Sequence, residues 1–336
     1  MAERKEKILV LGGTGAMGTY LVPLLAELGY RVDAVCLDRE EQAAPNLRYI
    51  VADAMNRGVL RTLLEGRYDC IVDFMLYDTK QYAERFETLL GSCGHYIQLS
   101  SYRVYSDLEI PTQETSPRLL DVSEDREFLA AEDYSLYKAR EENILRASRF
   151  RNWTVVRPAI TYSKFRYQLV TLEAPIFIRR AIEGKPVLLP ESAMGSEATM
   201  TWAGDVAKMF AGLVCNPGAM GEFYSLCTSE HRTWETVAGY YRELIGLRYR
   251  VVPDEVYLSM QQWPSAAKYQ LYYDRCLRRV MDNSKILKTA GLRQEELTPL
   301  YEGLRRELSA LPRDHAWPES HVCAQLDAWF AGHDFA

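Results

Sequence analysis

The chain has 336 residues, 48% of them hydrophobic and 26% charged, with a formal net charge of −6. That is a soluble globular composition, long enough for one large core or two unequal ones, and its acidic balance argues against a general nucleic-acid partner. The seven cysteines are scattered, odd in number and without CxxC spacing, which excludes a disulfide framework and fits the reduced thiols of a cytoplasmic protein; neither they nor the five histidines make a metal-ligand pattern, so no metal is expected.

The N-terminus, charged and then briefly apolar, resembles a leader, but the apolar run breaks at Gly12-Gly13. It reads instead as a buried strand over 7–12. Met17, Leu21, Leu24, Leu25 and Leu28 follow at helical spacing, and Gly29 ends the pattern. Strands are expected over 31–38, 47–53 and 68–75, a helix over 56–66 and another over about 79–93. A fifth strand covers 95–101, a helix 134–149, and a sixth strand 152–158, stopped by Pro158. Strands alternating with helices mean βαβ units and a doubly wound parallel sheet. No apolar run is long enough to span a membrane.

Residues 106–133 interrupt the rhythm with an acidic stretch holding two prolines, long enough to be a functional segment such as a lid. After Pro158 helices are expected over 173–184, 203–216 and 233–246, the last capped by Thr233 and stopped by Gly246. The simplest division is a nucleotide-binding domain over 1–160 and a smaller α+β substrate lobe over 161–336, some of whose segments return to the sheet. Trp202, Trp234 and Trp263 read as core residues.

Gly12, Gly15 and Gly18 make a GxxGxxG spacing between a strand and a helix. In that context Gly12 allows a tight exit from the strand, Gly15 lets backbone amides approach a pyrophosphate, and Gly18 lets the helix pack closely on the sheet. Asp38, at the end of the second strand, suits a ribose diol and repels a 2′-phosphate, which favours NAD; the neighbouring Arg39 leaves NADP open. Asp53 closes the third strand, as an adenine contact or as a helix cap.

Ser101 follows the fifth strand, at the sheet edge where ligands bind. Tyr134 and Lys138 stand four apart and share one face of a helix, whereas Tyr137 lies about 100° round from Lys138. A tyrosine beside a cation is a proton donor or acceptor for an alcohol or carbonyl, while hydride passes to or from a nicotinamide.

The glycine spacing, Ser101 in "SSYRVY" and Tyr134-xxx-Lys138 resemble the extended short-chain dehydrogenase/reductases, the NAD-dependent epimerase/dehydratase family. "VVRPAITY" (155–162), "TWAGDVAKMF" (201–210) and "MDNSKILKTAGL" (281–292) agree with it. The resemblance implies a Rossmann-type domain with NAD or NADP, and cofactor contacts from Gly12, Gly15, Ala16, Met17, Gly18, Asp38, Arg39, Asp53, Ala54, Met75 and Lys138. It implies Ser101, Tyr134 and Lys138 as the catalytic set, a nucleotide sugar as substrate, and a homodimer through the helices at 79–93 and 134–149. Ser101, Tyr102, Arg103, Tyr162 and Phe165 are the candidate substrate contacts.

Three departures sharpen this. Tyr102 and Arg103 stand where the family's dehydratases carry an acidic pair, which argues against dehydration. The fourth strand ends in bulky residues, with Met75 and Tyr77 expected to crowd the cofactor wall. No arginine lies in 191–205, where relatives hold a diphosphate, leaving Arg103, Arg166 or Arg179 as substitutes. A reductase of ketones or aldehydes outside sugar metabolism is thus an alternative. So is a non-catalytic binding protein, because "TSEHRTWETVAGYY" (228–241) is similar to a stretch of plastid RNA-binding relatives.

Overall fold

The structure, a computed structural model, describes residues 5–38, 41, 44–312 and 314–333. Six strands follow the expected alternation: β1 (Lys7–Leu11), β2 (Arg31–Cys36), β3 (Leu47–Val51), β4 (Tyr68–Asp73), β5 (Cys93–Leu99) and β6 (Trp153–Pro158). A seventh, β7 (Phe223–Leu226), joins from far down the chain, and the sheet order is β7-β6-β5-β4-β1-β2-β3. Every pairing in it is parallel. The order reverses between β1 and β4, which opens a crevice at the C-terminal ends of those strands.

The central strands are buried on both faces, so apolar residues run on without polar alternation. Along β1, Ile8 and Val10 face a core with Leu21, Val22 and Leu25 of α1 (Gly18–Glu27) and with Phe210 of the Ala203–Ala211 helix. Leu9 and Leu11 face the opposite core, with Leu60 of α2 (Arg57–Leu64), Tyr82 of α3 (Thr79–Ala83), Leu89 of α4 (Phe86–Gly91) and Leu145 of α5 (Tyr134–Ala147).

The single helix expected over 79–93 is thus two short ones. At the break Arg85 turns inward, and its two terminal nitrogens donate to the Gln81 carbonyl at 2.6 Å and the Met55 carbonyl at 2.9 Å, so most of a buried guanidinium finds acceptors where a straight helix would have carried on.

The stretch expected as a lobe packs round a core that includes Trp234, Phe177 and Tyr241 and also takes in Tyr102, Tyr105 and Ala139. Thr233 caps the Trp234–Ile245 helix through the Thr236 amide, and Gly246 ends it at φ 69°. Of the three tryptophans expected inside, Trp234 is fully buried and Trp202 packs edge-on against Tyr20. Trp263 instead is 70% exposed, because it stands at the N-terminal cap of the helix that starts at Pro264, outside the cores.

Residues 106–133 form two short helices and are tied down. Arg118 donates to the Ala139 carbonyl, Glu142 and Asn143 of α5, and Thr112 pairs with Val280 and Asp282. Among the described residues no helix is long and apolar enough to cross a membrane.

Candidate active site

The crevice is a cavity of about 640 Å³, walled by the β1–α1 loop, the ends of β2 to β6, the start of α5, and lobe residues between 159 and 173 and at 270 and 275.

At one end the wall is largely backbone, from the glycine-rich loop. Gly12 has φ 79°, a conformation that favours glycine, and a Cβ there would lie 3.2 Å from that of Phe74. A Cβ on Gly18 would come within 2.5 Å of the Gly13 carbonyl oxygen, and one on Gly13 within 2.8 Å of the Ala34 side chain. Gly13, and not Gly18, therefore allows the close approach to the sheet, while Gly18 makes room for the loop's own fold. The amides of Ala16 and Met17 have no hydrogen-bond acceptor among the described residues, and no side chain caps α1. Free amides at the positive end of a helix dipole make an anion site.

Asp38, Asp53, Ala54 and Met75 line the same cavity. Asp38 lies exposed just past β2, whereas Arg39 falls outside the described residues. The Asp53 carboxylate accepts the Met55 amide at 2.8 Å, and the cap of α2 is Asn56, which takes the Gly58 and Val59 amides. The end of β4 is bulky as expected, but the residues reaching the cavity are Phe74, Met75 and Leu76; Tyr77 is buried against Tyr82 and the Arg85 guanidinium. A glycine loop whose fold leaves no room for a Cβ at Gly13 or Gly18, amides without acceptors among the described residues and a carboxylate past β2 together fit a dinucleotide.

The other end carries the polar groups. Ser100 and Ser101 follow β5. Ser100 donates to Glu142 at 2.6 Å, and the same carboxylate takes Arg157 at 2.7 and 2.8 Å and Arg118 at 3.0 Å. These cations hold the buried Glu142 carboxyl below its usual range despite desolvation, the largest influence on it. Ser101 is only 6% exposed; its oxygen accepts the Arg103 amide at 3.2 Å, which leaves its own O–H free to donate.

Tyr134 opens α5, behind Asp133, whose carboxylate accepts the Ser135 amide at 2.9 Å. Tyr134 lines the cavity, its phenol has no partner among the described residues, and the Arg103 guanidinium stands 5.0 Å from the ring centre. Lys138 does not reach the cavity. It is buried, with its ammonium 3.0 Å from Glu141 and 5.7 Å from the centre of the Tyr137 ring. The cation beside Tyr134 is therefore Arg103. Tyr137 packs edge-on against Tyr134 and burial raises its phenol.

Tyr102 and Arg103 line the cavity and are held by a buried cluster in the lobe. Asp274 there pairs with Arg279 at 2.7 Å, Arg103 at 3.2 Å and Arg275, which reaches the Tyr102 hydroxyl at 3.2 Å. Arg275 ends a π-helical turn, Leu271–Arg275, a distortion often found at functional sites. Arg166, whose side chain has no ion-pair partner among the described residues, also lines the cavity, whereas Arg179 pairs with Glu183 and Glu319 at the surface. Tyr162 and Phe165 lie elsewhere. Tyr162 is buried against Gly303, where a Cβ would fall on its hydroxyl, and Phe165 stacks on His315 at 4.2 Å. Pro158, Thr161, Gln168, Glu173, Gln270 and Arg275 complete the wall. Pro158, ending β6, and Thr161 lie in the stretch 155–162 that carried a sequence signal; the rest sit in no motif.

Residues 8–224 match the NAD dependent epimerase/dehydratase family, well over half of the chain. The chain belongs to that family. Among curated proteins it is similar to the chloroplast stem-loop binding protein of 41 kDa b from Arabidopsis thaliana, 22% identical over 253 residues; the match takes in 70% of this chain and 62% of that protein, so less than two thirds of the relative is spanned. Among solved structures it resembles UDP-glucose 4-epimerase from Thermotoga maritima with UDP-glucose (TM-score 0.65, 16% identity, 90% and 97% of the two chains). It also resembles dTDP-glucose 4,6-dehydratase from Bacillus anthracis in complex with NAD (0.67, 18%, 90% and 96%). At such identities the likeness is one of fold.

Proposed function

We propose that this family member is an NAD-dependent epimerase or oxidoreductase acting on a nucleotide sugar, with Tyr134 as its acid–base group. One observation carries the reading: the glycine cradle, Ser101 and Tyr134 line a single cavity at the carboxyl edge of the sheet. The loop over Gly12–Gly18 would hold the pyrophosphate, Asp38 the adenosine ribose and Met75 the wall near the nicotinamide. When bound, NAD supplies a hydride acceptor. Ser101 donates its O–H to the substrate oxygen and Tyr134 takes or returns the proton there. Arg103 is the cation placed to balance charge on Tyr134, and Arg166, without an ion-pair partner among the described residues, would meet a substrate phosphate. Tyr102 and Arg103 in place of an acidic pair leave no carboxylate after Ser101 for eliminating water.

The test is mass spectrometry of nucleotides released from the purified protein, followed by calorimetry. Bound NAD, or NAD binding more tightly than NADP, is expected, together with turnover of a uridine or thymidine diphosphate sugar. Absence of NAD binding overturns the reading. A second reading, a non-catalytic binding protein, is favoured by the stem-loop binding relative. It predicts a gel shift with structured RNA that persists in Tyr134→Phe.

A further inference from the structure

Lys138 and Glu141, both on the buried face of α5, form a closed pair. Lys138 is 1% exposed and Glu141 0%, and the ammonium contacts both carboxylate oxygens, at 3.0 and 3.3 Å. Gln98 of β5 donates to Glu141 at 2.6 Å. Asp73 of β4, which accepts the Tyr96 hydroxyl at 2.9 Å, faces the niche, as do Tyr82 of α3 and Tyr137 of α5, and Tyr77 lies beyond Asp73 and Tyr82. The Tyr82 hydroxyl has no partner among the described residues. Phe74–Leu76 directly follow Asp73, and Leu99–Ser101 follow Gln98; both stretches line the cavity. The niche thus lies just behind the cavity wall, one helical turn beyond Tyr134.

While Glu141 is ionised, moving the ammonium into the cavity would strand a buried carboxylate, which is costly. With Glu141 neutral that cost disappears. We propose that Glu141 is a positioning residue: ionised, it parks Lys138 behind the wall; neutral, it releases the ammonium toward Tyr134 and the cofactor ribose. The proposal rests on the proposed reading of Tyr134 as the acid–base group and of the cavity as the NAD site, and it adds Lys138 as a second cation that joins Arg103 beside Tyr134 only when Glu141 is neutral. Burial raises the Glu141 carboxyl to about 7, against the opposing pull of Lys138, so the change falls in the neutral range.

The test is amine labelling of the full chain with acetic anhydride, read by peptide mass spectrometry as Lys138 relative to the exposed Lys80. In the parent, the ratio is expected to rise roughly tenfold from pH 8 to pH 6, as a group titrating near 7 changes charge. In Glu141→Gln it is expected to be high and flat with pH, and saturating NAD should suppress it without changing Lys80. The parent series needs no substitution, so it decides even if the variant folds poorly. Equal and low labelling in parent and variant at pH 8, or a parent ratio flat with pH, overturns the proposal. So does labelling in the variant that NAD leaves unchanged while calorimetry shows NAD bound. If NAD binds neither protein, the cofactor reading falls, and the pH 8 comparison still decides the clamp.

Discussion

Tyr134 is the group on which the proposed chemistry turns, because it lines the cavity and its phenol has no partner among the described residues. Tyr134→Phe is expected to lower kcat about 10²-fold or more, the scale of a lost acid–base group, with the Kd for NAD unchanged. Tyr137→Phe should leave kcat within a few-fold; equal losses in steady-state assays would mean the two tyrosines have been assigned in the wrong order. Arg166→Gln is expected to raise KM for a diphosphate sugar while sparing kcat, since an exposed guanidinium without an ion-pair partner among the described residues contributes binding and not proton transfer. Tyr134 was legible because a four-residue spacing fixes a shared helical face. Lys138 was legible as a neighbour and not as a contact. The spacing cannot show that Glu141, three residues on, competes for the ammonium, since that depends on both side chains being buried. Tyr162 and Phe165 looked like substrate residues because they follow β6, but proximity in sequence to a strand end does not say which way a ring turns.

Strands and their partners set the acid limit of the fold. His95 on β5 is buried and bonded to Thr154 of β6 at 2.8 Å, and burial lowers its imidazole to about 4. Because the folded value lies below the unfolded one, the unfolded chain binds more protons between them, so this contribution is present above about 6.5 and is lost as pH falls toward 4, up to roughly 3 kcal/mol. Urea unfolding at pH 7 and pH 5 should show His95→Gln losing less stability on acidification than the parent; equal losses would remove His95 as a cause. The six N-terminal strands were readable from apolar runs bounded by glycine, proline and polar residues. The break in the helix after β4 was not, because it depends on Arg85 finding carbonyls on two different elements.

At the scale of the molecule, the cavity is shared between sheet and lobe, so a ligand that fills it ties the two together. NAD at about 100 times its Kd is expected to stabilise the folded chain by about 2.7 kcal/mol, seen as a rise in Tm by scanning calorimetry. No rise would mean the cavity does not hold the dinucleotide. The lobe's share of the wall was the least legible part: Gln168, Glu173, Gln270 and Arg275 come from irregular or short elements that carry no periodicity and meet only in the folded chain.

β7 pairs with β6 only after the chain has left the sheet for more than sixty residues, since β6 ends at Pro158 and β7 begins at Phe223. During synthesis, β6 therefore waits as a bare edge. All six of its residues are buried in the finished fold, so until β7 emerges they present a row of unpaired amides and carbonyls, with Trp153, Val155 and Val156 among its side chains, that any other strand could join. A nascent chain halted near residue 160, or a fragment cut there, would be a template for aggregation, because the protecting strand lies in the part of the chain still to come.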